Sequence, residues 1–214
     1  MKSTLFNMVA VLFTVTLIAS AGVGAVNMIT ADAIAEANAA ATKQAVSNVL
    51  PAFENTEISE QTIDDMPIKV YTATAGGEKV GYAVESMTKN GFGGVIRLMV
   101  GFAPNGQILN VNVLQQSETP GLGTKMADEE NALLNSIKDK KAWEIEFKVK
   151  KDGGELDALT AATISSRAYY DAVQRAYQAY RVAAGFADSA DGVSGATATN
   201  DNASAEAQKG GQNE

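Results

Sequence analysis

The sequence predicts an α+β domain, an antiparallel sheet with flanking helices, carried behind one N-terminal transmembrane helix. Three patterns lead there: an uncharged apolar run at the start, two pairs of alternating segments joined by glycine turns, and a long amphipathic helix near residue 180.

The apolar run spans Leu5 to Val26, contains one amide (Asn7), and no charge lies between Lys2 and Asp32. At ~1.5 Å per residue it reaches ~30 Å, the thickness of a bilayer's hydrocarbon core. Lys2 precedes the run, while Asp32 and Glu36 follow it. The positive-inside rule therefore anchors the chain once in the cytoplasmic (inner) membrane, with its domain on the periplasmic or extracellular side. A cleaved signal peptide ending near Ala19-Ser20-Ala21 is the alternative, and it delivers the domain to the same side. The expected division is an anchor over residues 1–30, a domain over 31–186 and a disordered tail over 187–214.

Alanine-rich Ala31 to Val49 favours helix and either extends the anchor or covers the domain. Ile68 to Thr74 and Lys79 to Ser86, joined at Gly76-Gly77, read as a hairpin. Val95 to Phe102 and Gln107 to Leu114, joined around Asn105-Gly106, read as a second. Asp128 to Ile137 reads as a short helix opened by acids, and Trp143 to Val149 alternates like a strand before a turn at Asp152-Gly153-Gly154. Tyr169, Ala172, Val173, Ala176, Tyr177, Tyr180, Ala183 and Ala184 then follow helical spacing, with Ser165 or Ser166 as the natural N-cap. From Asp188 onward the composition is that of a disordered tail.

Composition removes whole classes of function. The chain has 214 residues, Lys+Arg 17 against Asp+Glu 25, and a net charge of −8, which argues against a nucleic-acid partner. There is no Cys and no His. Haem attachment, cysteine-ligated clusters, the usual zinc sites and Ser-His or Cys-His nucleophiles are all excluded. Redox work in this chain needs an organic cofactor.

Two segments stand out. Asp157 to Ser166 (DALTAATISS) lies between an extended segment and the amphipathic helix and is crowded with small side chains and hydroxyls. A helix N-terminus offers unpaired N–H groups to a phosphate, though a plain capping loop has the same composition. Ser117 to Lys125 (SETPGLGTK) is a side-chain-poor loop, stiffened by Pro120, on which a flat ring can lie; a tight turn after a strand is the plainer alternative.

The first segment resembles the covalent-flavinylation signature Asp-x-x-Ser/Thr-Gly-Ala-Ser/Thr, whose last hydroxyl is esterified to FMN phosphate. Asp157, Thr160, Ala162 and Thr163 match it; Ala161 stands where glycine is usual, adding one methyl beside the phosphate. The second segment resembles the Glu-Thr-Pro-Gly-Leu-Gly element of FMN-binding domains. With the anchor and chain length, the layout of residues 1 to 185 resembles the G subunits of the Rnf membrane complexes, which exchange electrons between ferredoxin and NAD while moving ions. The resemblance implies FMN on Thr163, with Asp157, Thr160, Ala161, Ala162 and Ser166 around the attachment. It also implies that Glu118, Thr119, Gly121, Leu122, Gly123 and Thr124 lie against the ring and ribityl chain.

By the same resemblance the role is one-electron relay with no catalytic residue, and the partners are a flavin transferase, the membrane and the other subunits of an electron-transport complex. The C subunits of the sodium-pumping NADH:quinone oxidoreductases and a free-standing flavin carrier are neighbouring alternatives. A cofactor-free tethered interaction or solute-sensing module is an alternative of another class. Asp191 to Thr197 (DGVSGAT) matches the signature more literally than the first segment, so Thr197 is an alternative attachment point.

Overall fold

The apolar run and the alanine-rich segment form one helix, α1 (Leu5–Val49), in the computed structural model, which describes residues 5–186. At ~1.5 Å per residue such a helix extends ~68 Å. Its first half is long and apolar enough to cross a membrane and stands clear of the domain; only Ala45, Val46 and Val49 at its end are buried.

Five strands follow as an antiparallel meander in the order β1-β2-β3-β4-β5: β1 (Asn55–Ile63), β2 (Met66–Ala75), β3 (Glu78–Thr88), β4 (Ile96–Phe102) and β5 (Ile108–Gln115). The two expected hairpins are β2–β3 and β4–β5. Gly76 and Gly77, at φ +60° and +83°, close the first with the twist that a two-residue turn requires. β1 is an additional strand. Its burial is almost nil, so it lacks the alternation that marks a half-buried strand. Its turn to β2 uses Asp64 and Asp65 at positive φ, not the usual glycines. The Arg175 guanidinium holds Asp64 at 3.1 Å, so support for this turn comes from a helix more than a hundred residues later.

One sheet face carries Val70, Val84, Leu98, Val100, Phe102 and Ile108, all without exposure, against α3 (Thr163–Ala183). α3 presents Tyr169, Ala172, Val173, Ala176 and Tyr180 to it, the stripe read from the sequence. Each such fully buried large apolar side chain contributes about 1.5–3 kcal/mol. Tyr180 stacks on Phe102 with centroids 4.9 Å apart, and its hydroxyl donates to the Pro104 carbonyl at 3.0 Å. Burial pushes the Tyr180 phenol up to about 12. The Ser86 hydroxyl donates to the Ala172 carbonyl at 2.8 Å, tying helix to strand.

The opposite face is thin. Ala73 pairs with Gly81 and Ala83 with Gly101, which lays four small residues side by side. The end of α1 rests on this floor, and a Cβ on Gly101 would stand 2.0 Å from the Val49 carbonyl oxygen. The Asn110 side-chain amide donates to the Asn48 carbonyl at 3.0 Å, satisfying one of the orphaned groups at the helix end. Beside the floor, Tyr71 is pushed up to about 12 by burial and by the Glu85 carboxylate, which pairs with Arg97.

Three elements differ from expectation. The short helix α2 (Ala132–Ile137) begins four residues later than Asp128, because the Asn131 side chain accepts the Leu134 N–H at 2.9 Å and sets the cap there. Trp143 to Val149 is not a strand: Ala142–Glu144 form a 3-10 turn, and Val149 makes only an isolated bridge with Leu156. Its alternation is nonetheless physical, since Ile145 and Phe147 pack on the core while Glu144 and Glu146 face solvent. The expected disordered tail lies outside the described residues.

Substituting Gly101→Ala should destabilise the chain by about 1–3 kcal/mol through overpacking under α1. Thermal unfolding of the detergent-solubilised protein reads the loss, and hydrogen exchange should quicken at Ala45 to Val49; unchanged protection there would refute the packing role of this glycine.

Candidate functional site

Three segments meet in a cleft of about 390 Å³: the loop 91–94, the loop 117–124 and the start of α3. The first turn of α3 begins at Thr163, earlier than the sequence pattern suggested. Its N-cap is Ala162, not Ser165 or Ser166, and no side chain caps it. Both serines are buried inside the first turn instead and are used for tertiary contacts. Ser166 Oγ accepts the Leu159 N–H and donates to the Ala162 carbonyl, each at 2.9 Å, which folds the segment back onto the helix. No side chain caps the first turn of α3, whose residues Thr163, Ile164 and Ser165 line the cleft, and uncapped N–H groups at a helix start suit an anion.

Ala161 sits at φ +59°, in the left-handed region that glycine enters freely. A methyl at this position is therefore more than added bulk: it holds the backbone in a conformation costing about 1–2 kcal/mol for an L residue. Thr163 is half-buried, lines the cleft, and its hydroxyl has no hydrogen-bond partner among the described residues.

The loop 117–124 is built around Glu118, which is 4% exposed. Its carboxylate accepts the Gly93 N–H at 3.0 Å and the Ser165 hydroxyl, joining all three segments. Glycines let them close: a Cβ on Gly123 would stand 2.7 Å from Glu118 Cβ, and one on Gly93 1.8 Å from the Ser117 carbonyl oxygen. Beyond Glu118, Gly121 at φ +74° donates to Thr124 Oγ1 at 2.9 Å, and the Leu122 N–H donates to the Thr119 carbonyl at 3.1 Å.

Of the residues singled out in the sequence, Thr119, Leu122, Gly123, Ala161, Ala162 and Thr163 line the cleft together. Glu118 and Ser166 lie behind its wall, while Gly121, Thr124 and Thr160 lie outside its lining. Asp157 is also outside. Its carboxylate pairs with Lys150 at 2.6 Å, and the Tyr170 hydroxyl donates to its carbonyl at 2.9 Å, so it pins the start of the loop. The hydrogen bond from Lys150 holds the Asp157 carboxyl below its ordinary value. Thr197 lies outside the described residues.

Two lining residues lie outside both segments that the sequence singled out. Phe92, 68% exposed, projects from the Gly91-Phe92-Gly93-Gly94 run on one wall. Lys151 is the one cation in the lining, presented by a short turn that Arg167 holds through a two-pronged pair with Asp152 at 2.6 and 2.7 Å. The aromatic among glycines was a readable signal; the lysine looked like any solvated charge pair. No cluster of acidic residues suited to a metal occurs among the described residues. The cleft thus offers a free hydroxyl, a helix N-terminus, one cation and the apolar surfaces of Phe92, Leu122 and Ile164. That set fits a flat ring carrying a phosphate.

Comparison with known proteins agrees. The model of the FMN-binding domain family matches residues 91–178, a span that contains all three cleft segments. A Shewanella amazonensis protein, named among the G subunits of ion-translocating oxidoreductase complexes, is 36% identical over 173 residues, covering 74% of this chain and 80% of its own. Its namesake in Photorhabdus laumondii is 34% identical over 162 residues, covering 70% and 78%. The namesake in Shewanella oneidensis is 41% identical over 122 residues, about half of each chain at 54% and 55%.

The substitution Ala161→Gly should raise stability by about 1 kcal/mol, the left-handed cost less the greater freedom of glycine in the unfolded chain. A rise in the thermal midpoint is the expected reading, and a fall would contradict the strained backbone. Because the folded pKa of Asp157 is lowered, its pairing stabilises the protein above the unfolded value of ~3.9 and is lost as pH falls through the folded one. Melting scans should show this acid loss below about pH 4, and Lys150→Ala should shrink it.

Proposed function

Because the chain belongs to the family of G subunits of ion-translocating oxidoreductase complexes, we propose that it holds FMN through a phosphoester on Thr163 and relays electrons within such a complex. The observation that carries this reading is the position of Thr163: an unengaged hydroxyl, first in its helix, opening into a cleft beside Lys151.

When bound, FMN supplies a ring that accepts and donates single electrons. Everything else belongs to the chain. Thr163 Oγ provides the covalent bond, so the cofactor is not lost to diffusion. The α3 N-terminus and the Lys151 ammonium would face the charge that a phosphodiester on Thr163 keeps. Ala161 and Ala162 leave space for close approach, while Phe92, Leu122 and Ile164 present apolar surface to a ring. Ser165 and Glu118 act behind them, holding loop 117–124 against the helix.

The domain works outside the cytoplasm, on the far side of the membrane from Lys2. There a dissociated FMN could not be replaced readily, which gives the covalent link its purpose. A flavin transferase installs it, and the electron partners are the other subunits of a complex working between ferredoxin and NAD.

Peptide mapping of the full-length chain, produced in membranes together with a flavin transferase, tests the attachment. The peptide spanning Thr163 should carry the mass of FMN less water, Thr163→Ala should abolish it, and Thr160→Ala should keep it. An unmodified Thr163 peptide beside an active transferase would overturn the proposal.

A further inference from the structure

We infer that Asp171 is a positioning residue for the cofactor: through Thr88 and Asn90 it fixes the loop that holds Phe92 against the flavin ring. The inference rests on the reading of Thr163 above and goes beyond it, because none of these three residues lines the cleft. Residues 91–94 read Gly-Phe-Gly-Gly, so the loop backbone has little conformational preference of its own. Phe92 is largely exposed and pairs with no other aromatic ring among the described residues. Neither local backbone nor packing therefore fixes its ring. That leaves the tethers of the loop.

One tether follows Phe92, where the Gly93 N–H donates to the Glu118 carboxylate at 3.0 Å. The other precedes it and is built on Asp171, which lies on α3 about two turns beyond Thr163. Thr88 ends β3 and is fully buried, and its hydroxyl donates to Asp171 Oδ2 at 2.6 Å. The same hydroxyl oxygen accepts the Asn90 N–H at 3.2 Å, and the Asn90 side-chain amide donates to Asp171 Oδ2 at 3.3 Å. The chain just before Phe92 is thus held by both its backbone and its side chain. Between the tethers only Gly91 and Phe92 remain. The Gly94 N–H closes them into a turn on the Gly91 carbonyl at 3.3 Å, and a Cβ on Gly91 would stand 2.6 Å from Glu118 Oε1.

Asp171 is itself held in place. The Arg175 guanidinium, with its side chain 7% exposed, donates to both Asp171 oxygens at 3.2 and 3.3 Å and to the Met87 carbonyl at 2.8 Å. A carboxylate gripped by a shielded guanidinium is a strong and fixed acceptor. Docking of α3 on β3 is secured separately, by Arg175 on Met87 and by Ser86 on the Ala172 carbonyl. The bonds through Thr88 and Asn90 therefore act on the loop. An apolar ring kept over the flavin shields it from water and dissolved ions and disfavours charge on it.

The full-length chain carrying FMN, made in membranes with a flavin transferase and solubilised in detergent, provides the test. Thr88→Val keeps the shape of the side chain and removes its hydroxyl, whereas Thr88→Ser keeps the hydroxyl. Asn90→Ala, at an exposed position, cuts the loop from Asp171 and leaves the Arg175 pair intact. Quenching of flavin fluorescence by iodide should rise severalfold in Thr88→Val and in Asn90→Ala, approaching that of Phe92→Ala. The flavin midpoint potential should move the same way in all three, and Thr88→Ser should behave as the parent. Adding Thr88→Val to Phe92→Ala should change neither reading further, since the hydroxyl acts through Phe92. Parent-like quenching in either Thr88→Val or Asn90→Ala, with FMN on Thr163, overturns this inference and leaves the Thr163 reading standing. A further change in the double variant overturns it too, because the role is then merely structural. A chain without FMN on Thr163 overturns both.

Discussion

The buried carboxylate of Glu118 is the contact on which the cleft depends. It takes one peptide N–H from Gly93 and one hydroxyl from Ser165, and it makes no ion pair among the described residues. A buried carboxylate is costly to leave unpaired, so these two bonds are effectively obligatory. They fasten loop 91–94, loop 117–124 and the first turn of α3 at a single point. Phe92, Leu122 and Thr163 face one another because of it. Glycines at 91, 93 and 123 serve the same junction, since a Cβ on any of them would collide with this carboxylate or with its neighbours.

The rest of the domain keeps that point rigid. α3 is clamped along its length by Ser86, by the ring stack of Tyr180 on Phe102, and by Arg175, which binds Asp64, Asp171 and the Met87 carbonyl. On the reverse of the sheet, the small residues Ala73, Gly81, Ala83 and Gly101 admit the end of α1. The apolar half of α1 is therefore continuous with a helix end that is embedded in the sheet.

Strain is placed where chemistry is proposed. Ala161 holds a backbone that glycine would take at no cost, and it does so one residue before the uncapped N-cap Ala162. Ser166 and Leu159 hold the bend from behind, so the loop is over-determined by its surroundings. Thr163 stands first in a helix that no side chain caps.

Much of this was legible in the chain itself. The apolar run, the two glycine-turned hairpins and the stripe of α3 are periodic, local signals, and each gave the right element. The segments SETPGLGTK and DALTAATISS stand out through their resemblance to family motifs; by composition alone a tight turn and a capping loop are the plainer readings. The tertiary structure decided what is assembled across long separations. β1 is a strand through its full-length pairing with β2, α2 starts where Asn131 caps it, and the amphipathic segment 143–149 has no neighbouring strand to pair with. The resemblance implied Glu118 beside a ring; in the fold Glu118 is buried outside the cleft lining, which includes Phe92 and Lys151. Periodicity reports which face of an element is apolar; only the packed chain reports which side chains from distant segments share one cleft.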